Sequence, residues 1–243
     1  MKRFVLGDVH GRINALKEVL KKSKFDYDKD KLIILGDVAD GGYNTYMVVE
    51  ELLKVKNKIF IIGNHDSWFM DHIKSGWAEY IWLAQGGKNT IDSYTRAGFD
   101  RMSVPVTHQD FFNRGKYYYI EDEMLFVHGG FDINKGLKNT SRFKLMWDRT
   151  LIEYASMFEV PGFKKVFVGH STTQTYANKS KPLKFSNLWM LDCGAGWSGK
   201  LAIMDIDTEK YWLSKKQRPA TNREGTQWVE ENEKDKKGIQ QKV

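Results

Sequence analysis

The sequence predicts an α/β fold of two stacked sheets with helices outside and a helical insert. Three observations carry that expectation. Short apolar runs alternate with amphipathic stretches through residue 66, the spacing then turns helical and aromatic from 67 to about 121, and short strand-like runs return beyond it.

The first run, Phe4, Val5 and Leu6, leads into Gly7 and Asp8. Ile13, Leu16, Val19 and Leu20 follow at helical spacing, the pattern of one buried helix face. A second run at residues 32–35 ends in Gly36 and Asp37, and a second helix carries Val48, Leu52 and Val55. The third run, at 59–62, ends in Gly63, Asn64, His65 and Asp66. Strand, loop and helix thus occur twice in succession. That order predicts parallel strands joined by right-handed crossovers, with polar residues gathered at the strands' C-terminal ends.

Between Ser67 and about Glu121, the aromatics Trp68, Phe69, Trp77, Tyr80 and Trp82 mark the helical insert, and most of them are expected to fill core. Strands resume at residues 124–127, 166–168, 188–191 and 201–206, flanked by glycine-containing turns, and these predict the second sheet. Residues 1–217 are read as one domain. From residue 218 to 243 the chain is polar, with Trp228 its single large aromatic, and is expected to be disordered.

A net charge of +7 raises the question of a polyanionic partner. The cations are scattered, however. Lys21, Lys22 and Lys24 close the first predicted helix, Lys54, Lys56 and Lys58 the second, and Lys164 with Lys165 precede a strand. Cations at helix C-termini are ordinary partners of the helix dipole. No segment reads as a zinc finger, an RNA-recognition motif or a basic arm, so nucleic acid is not the expected partner, whereas a phosphorylated substrate fits. No run approaches a membrane span, and the N-terminal residues read as a strand rather than a signal peptide. The single cysteine, Cys193, excludes an internal disulfide framework and fits a reducing, cytoplasmic setting; it is expected to be buried beside Leu191.

Four apolar runs end in a glycine followed by a potential ligand: Gly7-Asp8-Val9-His10, Gly36-Asp37, Gly63-Asn64-His65-Asp66 and Gly169-His170. A fifth, at 125–127, runs directly into His128. A lone Asp after a strand is ordinarily a helix cap, and a lone His there is ordinarily structural. Five strand ends delivering such groups to one sheet edge form a cluster, and its mixture of carboxylate and imidazole suits manganese, iron or zinc.

These blocks, in this order, resemble the calcineurin-like metallophosphoesterases, and most closely the small lambda-phosphatase-like serine/threonine protein phosphatases of phage and bacteria. The resemblance covers about residues 4–213, including 144–149 and 192–199. It implies a two-sheet αββα sandwich and two divalent metal ions, with Mn²⁺ the expected pair. Asp8, His10 and Asp37 would hold one ion and Asp37, Asn64, His128 and His170 the other, so that Asp37 bridges. It further implies direct attack of a metal-bridging hydroxide on phosphorus, with no phosphoenzyme. His65 falls at the position of the acid that protonates the leaving group, Asp40 at that of the carboxylate orienting it, and Arg149 with Asn64 at phosphate-binding positions. Serine/threonine phosphoprotein hydrolysis is the expected activity, and a diadenosine tetraphosphate hydrolase or cyclic-nucleotide phosphodiesterase the alternative.

Three positions depart from the protein-phosphatase pattern. Gly41 and Ile62 stand where phosphate-binding arginines are expected, and Asp66 where that branch has Glu. If the glycine merely vacated a phosphate site, arginine at position 41 should lower KM for small phosphomonoesters; no gain would mean that the space serves a larger substrate or that another side chain, such as a lysine from the cap, fills the role. His72 and His108 match no block and are read as surface or cap-contact residues.

Overall fold

A computed structural model of the 243-residue chain describes residues 1–218, so the expected tail from 219 onward lies outside the described residues. Two five-stranded sheets are stacked between helices. The first has the order β10-β9-β1-β2-β3, with β1 Arg3–Leu6, β2 Lys31–Ile34, β3 Asn57–Phe60, β9 Ala202–Asp205 and β10 Tyr211–Leu213. The second has the order β4-β5-β6-β8-β7, with β4 Tyr118–Glu121, β5 Met124–Val127, β6 Lys165–Val168, β7 Leu183–Phe185 and β8 Leu188–Met190. β1, β2 and β3 are mutually parallel, as are β5, β6 and β8.

The two-residue period of a strand explains the layering. In β1, Phe4 and Leu6 join the cluster under the helices while Val5 points into the space between the sheets, and in β2 Ile33 does the same between Leu32 and Ile34. In the second sheet Phe126 and Phe167 face inward and stack at 5.0 Å, while Leu125, Val127, Val166 and Val168 face outward. Such strands, buried on both faces, read in sequence as continuous apolar runs, and this is why they were legible.

Helix α1, Ile13–Ser23, presents Ile13, Leu16, Val19 and Leu20 to the first sheet. Lys24 caps it in a left-handed conformation, and Lys21 and Lys22 occupy its last turn. Helix α2, Thr45–Leu53, ends before the lysines expected to close it: Lys54 caps it, Lys56 lies in the following loop and Lys58 sits within β3. Helices α3 (Asn64–Ser75), α4 (Tyr80–Trp82), α5 (Lys88–Arg96) and α6 (Val106–Asn113) make up the insert. Its helical part stops at Asn113, because the chain then returns as β4 of the second sheet. Phe69 and Trp82 are buried as expected, whereas Trp77 and Tyr80 are exposed. Short helices α7 (Arg142–Trp147), α8 (Thr150–Ala155) and α9 (Thr173–Ala177) connect the strands of the second sheet. Cys193 is buried. No helix among the described residues is long and apolar enough to cross a membrane.

His108 is neither on the surface nor at the site. It is buried in α6, where its Nδ1 meets the Tyr94 hydroxyl of α5 at 2.9 Å and its Nε2 meets Glu50 Oε1 of α2 at 2.7 Å, with the Tyr46 ring 4.9 Å away. The neutral imidazole satisfies both contacts, with Tyr94 donating to Nδ1 and Nε2–H donating to Glu50. Burial, partly offset by Glu50, lowers its pKa. Below the ordinary histidine value of about 6.5 the unfolded chain therefore takes up a proton that the folded chain resists, and stability falls as pH falls. Thermal melts between pH 7 and 5 should show a steeper decline for the wild type than for His108→Gln; equal slopes would remove His108 from the acid sensitivity.

Candidate active site

The parallel strands of both sheets end at one edge, and the loops beyond them carry the chemistry. β1 leads to Asp8 and His10, β2 to Asp37 and Asp40, β3 to Asn64 and His65, β5 to His128 and β6 to His170. Four of these residues are held at positive φ, namely His10 (48°), Asp37 (47°), Asp40 (69°) and His170 (60°). Non-glycine residues seldom adopt that region, and where they do so in a cluster the surrounding structure must enforce it. The neighbouring glycines permit the close approach. A Cβ on Gly63 would lie 2.1 Å from Asp37 Oδ1, and one on Gly169 2.2 Å from Asp8 Oδ1.

Two groups of donor atoms result, Asp8 with His10 and Asp37, and Asp37 with His128 and His170, each gathered within 4.8 Å. Asp37 belongs to both. Its Oδ2 lies 3.7 Å from His10 Nε2 and 3.3 Å from His128 Nε2. Asn64 Oδ1 is 3.2 Å from the same His128 nitrogen. His10 Nδ1 donates to the Ala39 carbonyl at 3.1 Å, and His128 Nδ1 to the Leu35 carbonyl at 2.6 Å. Because a carbonyl can only accept, both rings turn Nε2 to the cluster; burial opposes a charge on His128, but Asp37 outweighs it and raises that imidazole to about 10, so a cation bound there would take the place of its Nε2 proton.

The donor set fits divalent cations. Asp8 Oδ1 and His170 Nε2 are buried without a hydrogen-bond partner among the described residues, and an orphaned buried acceptor is costly. Burial, Asp192 and Asp37 together raise the pKa of Asp8 well above the carboxylate range. Burial likewise pushes His10 down to about 4, and burial with His128 pushes His170 down to about 3, so both imidazoles are neutral, the form that ligates. Burial opposes the charge on Asp37, but His128 and His65, both raised toward the imidazolium, outweigh it and keep it ionised.

His65 stands beside this cluster, its ring 5.0 Å from that of His10. Its Nδ1 donates to Asp40 Oδ2 at 2.7 Å, which leaves Nε2 as the outward nitrogen. Burial opposes the imidazolium, yet Asp37, Asp40 and Asp66 outweigh it and raise the His65 pKa. Asp40 is fully buried and accepts two more hydrogen bonds, from Trp82 Nε1 at 2.8 Å and from Thr90 Oγ1 at 2.8 Å. Both donors come from the insert, which therefore braces the carboxylate that orients His65. Neither was singled out from the sequence for this role; an indole amid apolar spacing looks like core until its partner is seen.

Asp66 also has a part that its spacing did not suggest. Its carboxylate accepts from the amides of Val38 (2.9 Å), Ala39 (3.1 Å) and Gly63 (3.0 Å), tying the β2 loop to the start of α3. Arg12, equally unsignalled, is buried and donates to the carbonyls of Ala195 and Gly196, the loop that lies across the His10 ring.

The two positions lacking arginine are closed to one. Ile62 is buried in the core under the insert. Gly41 has φ of 70°, and a Cβ there would meet the His10 Cβ at 3.0 Å and the Gly196 carbonyl at 3.1 Å. The Gly196 backbone crowds position 41, so an arginine there would have to displace that loop as well as adopt a positive φ. Arg149, in contrast, is exposed, its guanidinium makes no hydrogen bond or ion pair among the described residues, and its charge contributes to the depressed pKa of His170. An aromatic wall leads outward beside it: Trp68 packs edge-on to His65 at 5.2 Å, Trp147 lies 5.2 Å from Trp68 and 5.6 Å from His170, and exposed Phe143 stacks on Trp147 at 5.8 Å.

Comparison with known proteins gives consistent findings. The family described as calcineurin-like phosphoesterase matches residues 1–174. A symmetrical bis(5'-nucleosyl)-tetraphosphatase of Coxiella burnetii is 33% identical over 67 residues, 28% of this chain. The matched stretch spans only 23% of that relative's length. Among solved structures, a putative diadenosine tetraphosphatase superposes with a TM-score of 0.67 at 16% identity, covering 91% of this chain and 94% of the other. A protein serine/threonine phosphatase from Saccharomyces cerevisiae superposes at 0.54 and 15% identity, covering 85% and 73%. At such identities the two superpositions show the fold.

Proposed function

The chain belongs to the calcineurin-like phosphoesterases, and from that premise we propose that it hydrolyses phosphomonoesters at a binuclear metal site, with a serine/threonine phosphoprotein as substrate. The observation that carries the binuclear reading is the pair of donor groups sharing Asp37. When bound, two divalent ions neutralise charge on the phosphoryl oxygens and acidify a water, and the imidazole-rich set favours manganese over magnesium. Asp8, His10 and Asp37 would hold one, and Asp37, Asn64, His128 and His170 the other. The protein's own part in the chemistry is proton delivery. His65 Nε2–H donates to the departing oxygen, and Asp40, braced by Trp82 and Thr90, keeps the ring in the tautomer and orientation that allow it. An acid so firmly held matters most for a poor leaving group such as a serine or threonine alkoxide.

A second reading, a dinucleoside polyphosphate as substrate, is favoured by the aromatic wall, where a base could stack on Phe143, and by the name of the Coxiella relative. Turnover of a phosphoserine peptide against diadenosine tetraphosphate, after chelation and restoration with Mn²⁺ or Mg²⁺, decides between them. Preference for the nucleotide, together with a loss of that preference in Phe143→Ala, would establish the second reading, and full activity in chelator would overturn both.

Arg149, with no acid engaging it among the described residues and with Gly41 and Ile62 at the two other expected arginine positions, is left to contact the phosphoryl oxygens that the metals do not. A charge-assisted contact is worth about 1.5–3 kcal/mol, so Arg149→Ala should lower kcat/KM at least about tenfold. Wild-type kinetics in that variant would remove Arg149 from the site.

A further inference from the structure

Away from the active site, a cavity of about 430 Å³ opens between β3 and α6. Its apolar floor includes Phe60 and Phe111, stacked at 4.6 Å, and its rim carries Lys56, Lys58, Arg114 and Lys116. One acid, Asp110, lines it, 3.9 Å from Arg114. Lys56 is paired with Asp28 outside the cavity. Lys58 and Lys116 have no carboxylate within ion-pair distance among the described residues. The Lys58 ammonium donates only to the carbonyls of Val55 (2.8 Å) and Leu53 (3.3 Å), and that of Lys116 lies over the Tyr119 ring at 5.2 Å. Burial lowers the pKa of Lys58, the direction a nearby anion would reverse.

The cavity also adjoins an open sheet edge. β3 is the terminal strand of the first sheet. Ile61 N–H points inward to the Ile34 carbonyl of β2, whereas Ile62 N–H donates to the Lys116 carbonyl and Lys116 N–H to the Phe60 carbonyl on the outer side. The alternation of a strand then turns the N–H and C=O of Lys58 and the N–H of Phe60 to that same outer side. The short stretch around Lys116 covers only the C-terminal part of the edge.

We propose that this cleft docks an extended acidic peptide segment of a partner or substrate protein. The segment adds to the edge of β3 through main-chain hydrogen bonds, sets carboxylates against Lys58, Lys116 and Arg114, and places an apolar side chain on Phe60 and Phe111. Edge addition supplies register and affinity while alternate side chains supply specificity. The cleft is separate from the chemistry, since four residues of near-extended chain place Phe60 about 13 Å from Asn64. Lysines on an edge strand also serve to discourage pairing with other chains, and the apolar cavity between them is what sets this edge apart.

The test is fluorescence anisotropy with the full-length chain and a labelled peptide, Glu-Glu-Phe-Glu-Val-Glu-Glu, at low salt. Saturable binding is expected, weakened at least tenfold by Lys58→Glu with Lys116→Glu and by replacing the peptide's Phe with Ala, and absent for the same peptide with Lys in place of Glu. Because Lys58 is partly buried, Arg114→Glu with Lys116→Glu provides a second variant, and unchanged p-nitrophenyl phosphate turnover shows that each variant is folded. No binding, binding indifferent to both charge reversals, or tighter binding of an oligothymidylate of equal charge would overturn the proposal. The readout needs no turnover of the labelled peptide, so a failure of the hydrolase reading leaves it intact.

Discussion

Asp37→Asn is expected to abolish most of the activity and to empty at least one of the two metal positions. The side chain keeps its size and can still accept from the His65 amide, whose hydrogen bond to Oδ1 is 3.1 Å, so the loop should persist. What is lost is the shared negative charge 3.3 Å from His128 Nε2 and 3.7 Å from His10 Nε2, the one group common to both donor sets. With its oxygen kept on the His65 amide, asparagine turns its NH2 to the two histidines in place of Oδ2 and offers no anionic bridge. Metal assistance is worth several kcal/mol, so kcat/KM should fall by about 10³-fold or more. Metal analysis of the purified variant should find one ion per chain or fewer, while its far-ultraviolet circular dichroism matches that of the wild type. Two tightly held ions and near-normal rates in Asp37→Asn would sink the binuclear assignment.

The second large effect separates the proton donor from the ligands. His65→Asn should retain both metal ions yet lower kcat on a phosphoserine peptide by about 10² to 10⁴, the range for general acid catalysis. The loss should be much smaller on p-nitrophenyl phosphate, whose leaving phenolate departs without a proton. This contrast follows from geometry, because His65 spends its Nδ1–H on Asp40 and lies in neither donor group. Equal losses on the two substrates, or a drop in metal content, would mean that His65 supports the site rather than acting in it.

How much of this was legible beforehand follows from what is local and what is not. All but one of the chemical blocks sit directly after a strand buried on both faces, so a continuous apolar run ending in a ligand marks both the strand and the residue at its tip; β1, β2, β5 and β6 are visible this way, and the half-exposed edge strand β3 through the apolar run that continues past its end to Ile62. The short edge strands β4, β7 and β10 were not. They are half-exposed, carry no continuous apolar signal, and owe their existence to the neighbours they pair with. The same distinction runs through the site. Asp8, His10, Asp37, Asn64, His128 and His170 follow from position along the chain. Trp82 and Thr90 bracing Asp40, Asp66 reaching Val38 and Ala39 of the β2 loop and Arg12 holding the 194–199 loop are contacts across 27 to 184 residues of sequence. No local pattern encodes a hydrogen bond whose partner lies in another layer. Gly41 makes the point most sharply: its missing side chain reads as a vacancy in the sequence, and only the packing of Gly196 and His10 around it shows that the space is already occupied. The sequence by itself determined which groups reach the sheet edge, because strand burial and ligand placement are written in adjacent residues; the tertiary structure decided how those groups are oriented, charged and hemmed in, because those properties depend on side chains brought together only by folding.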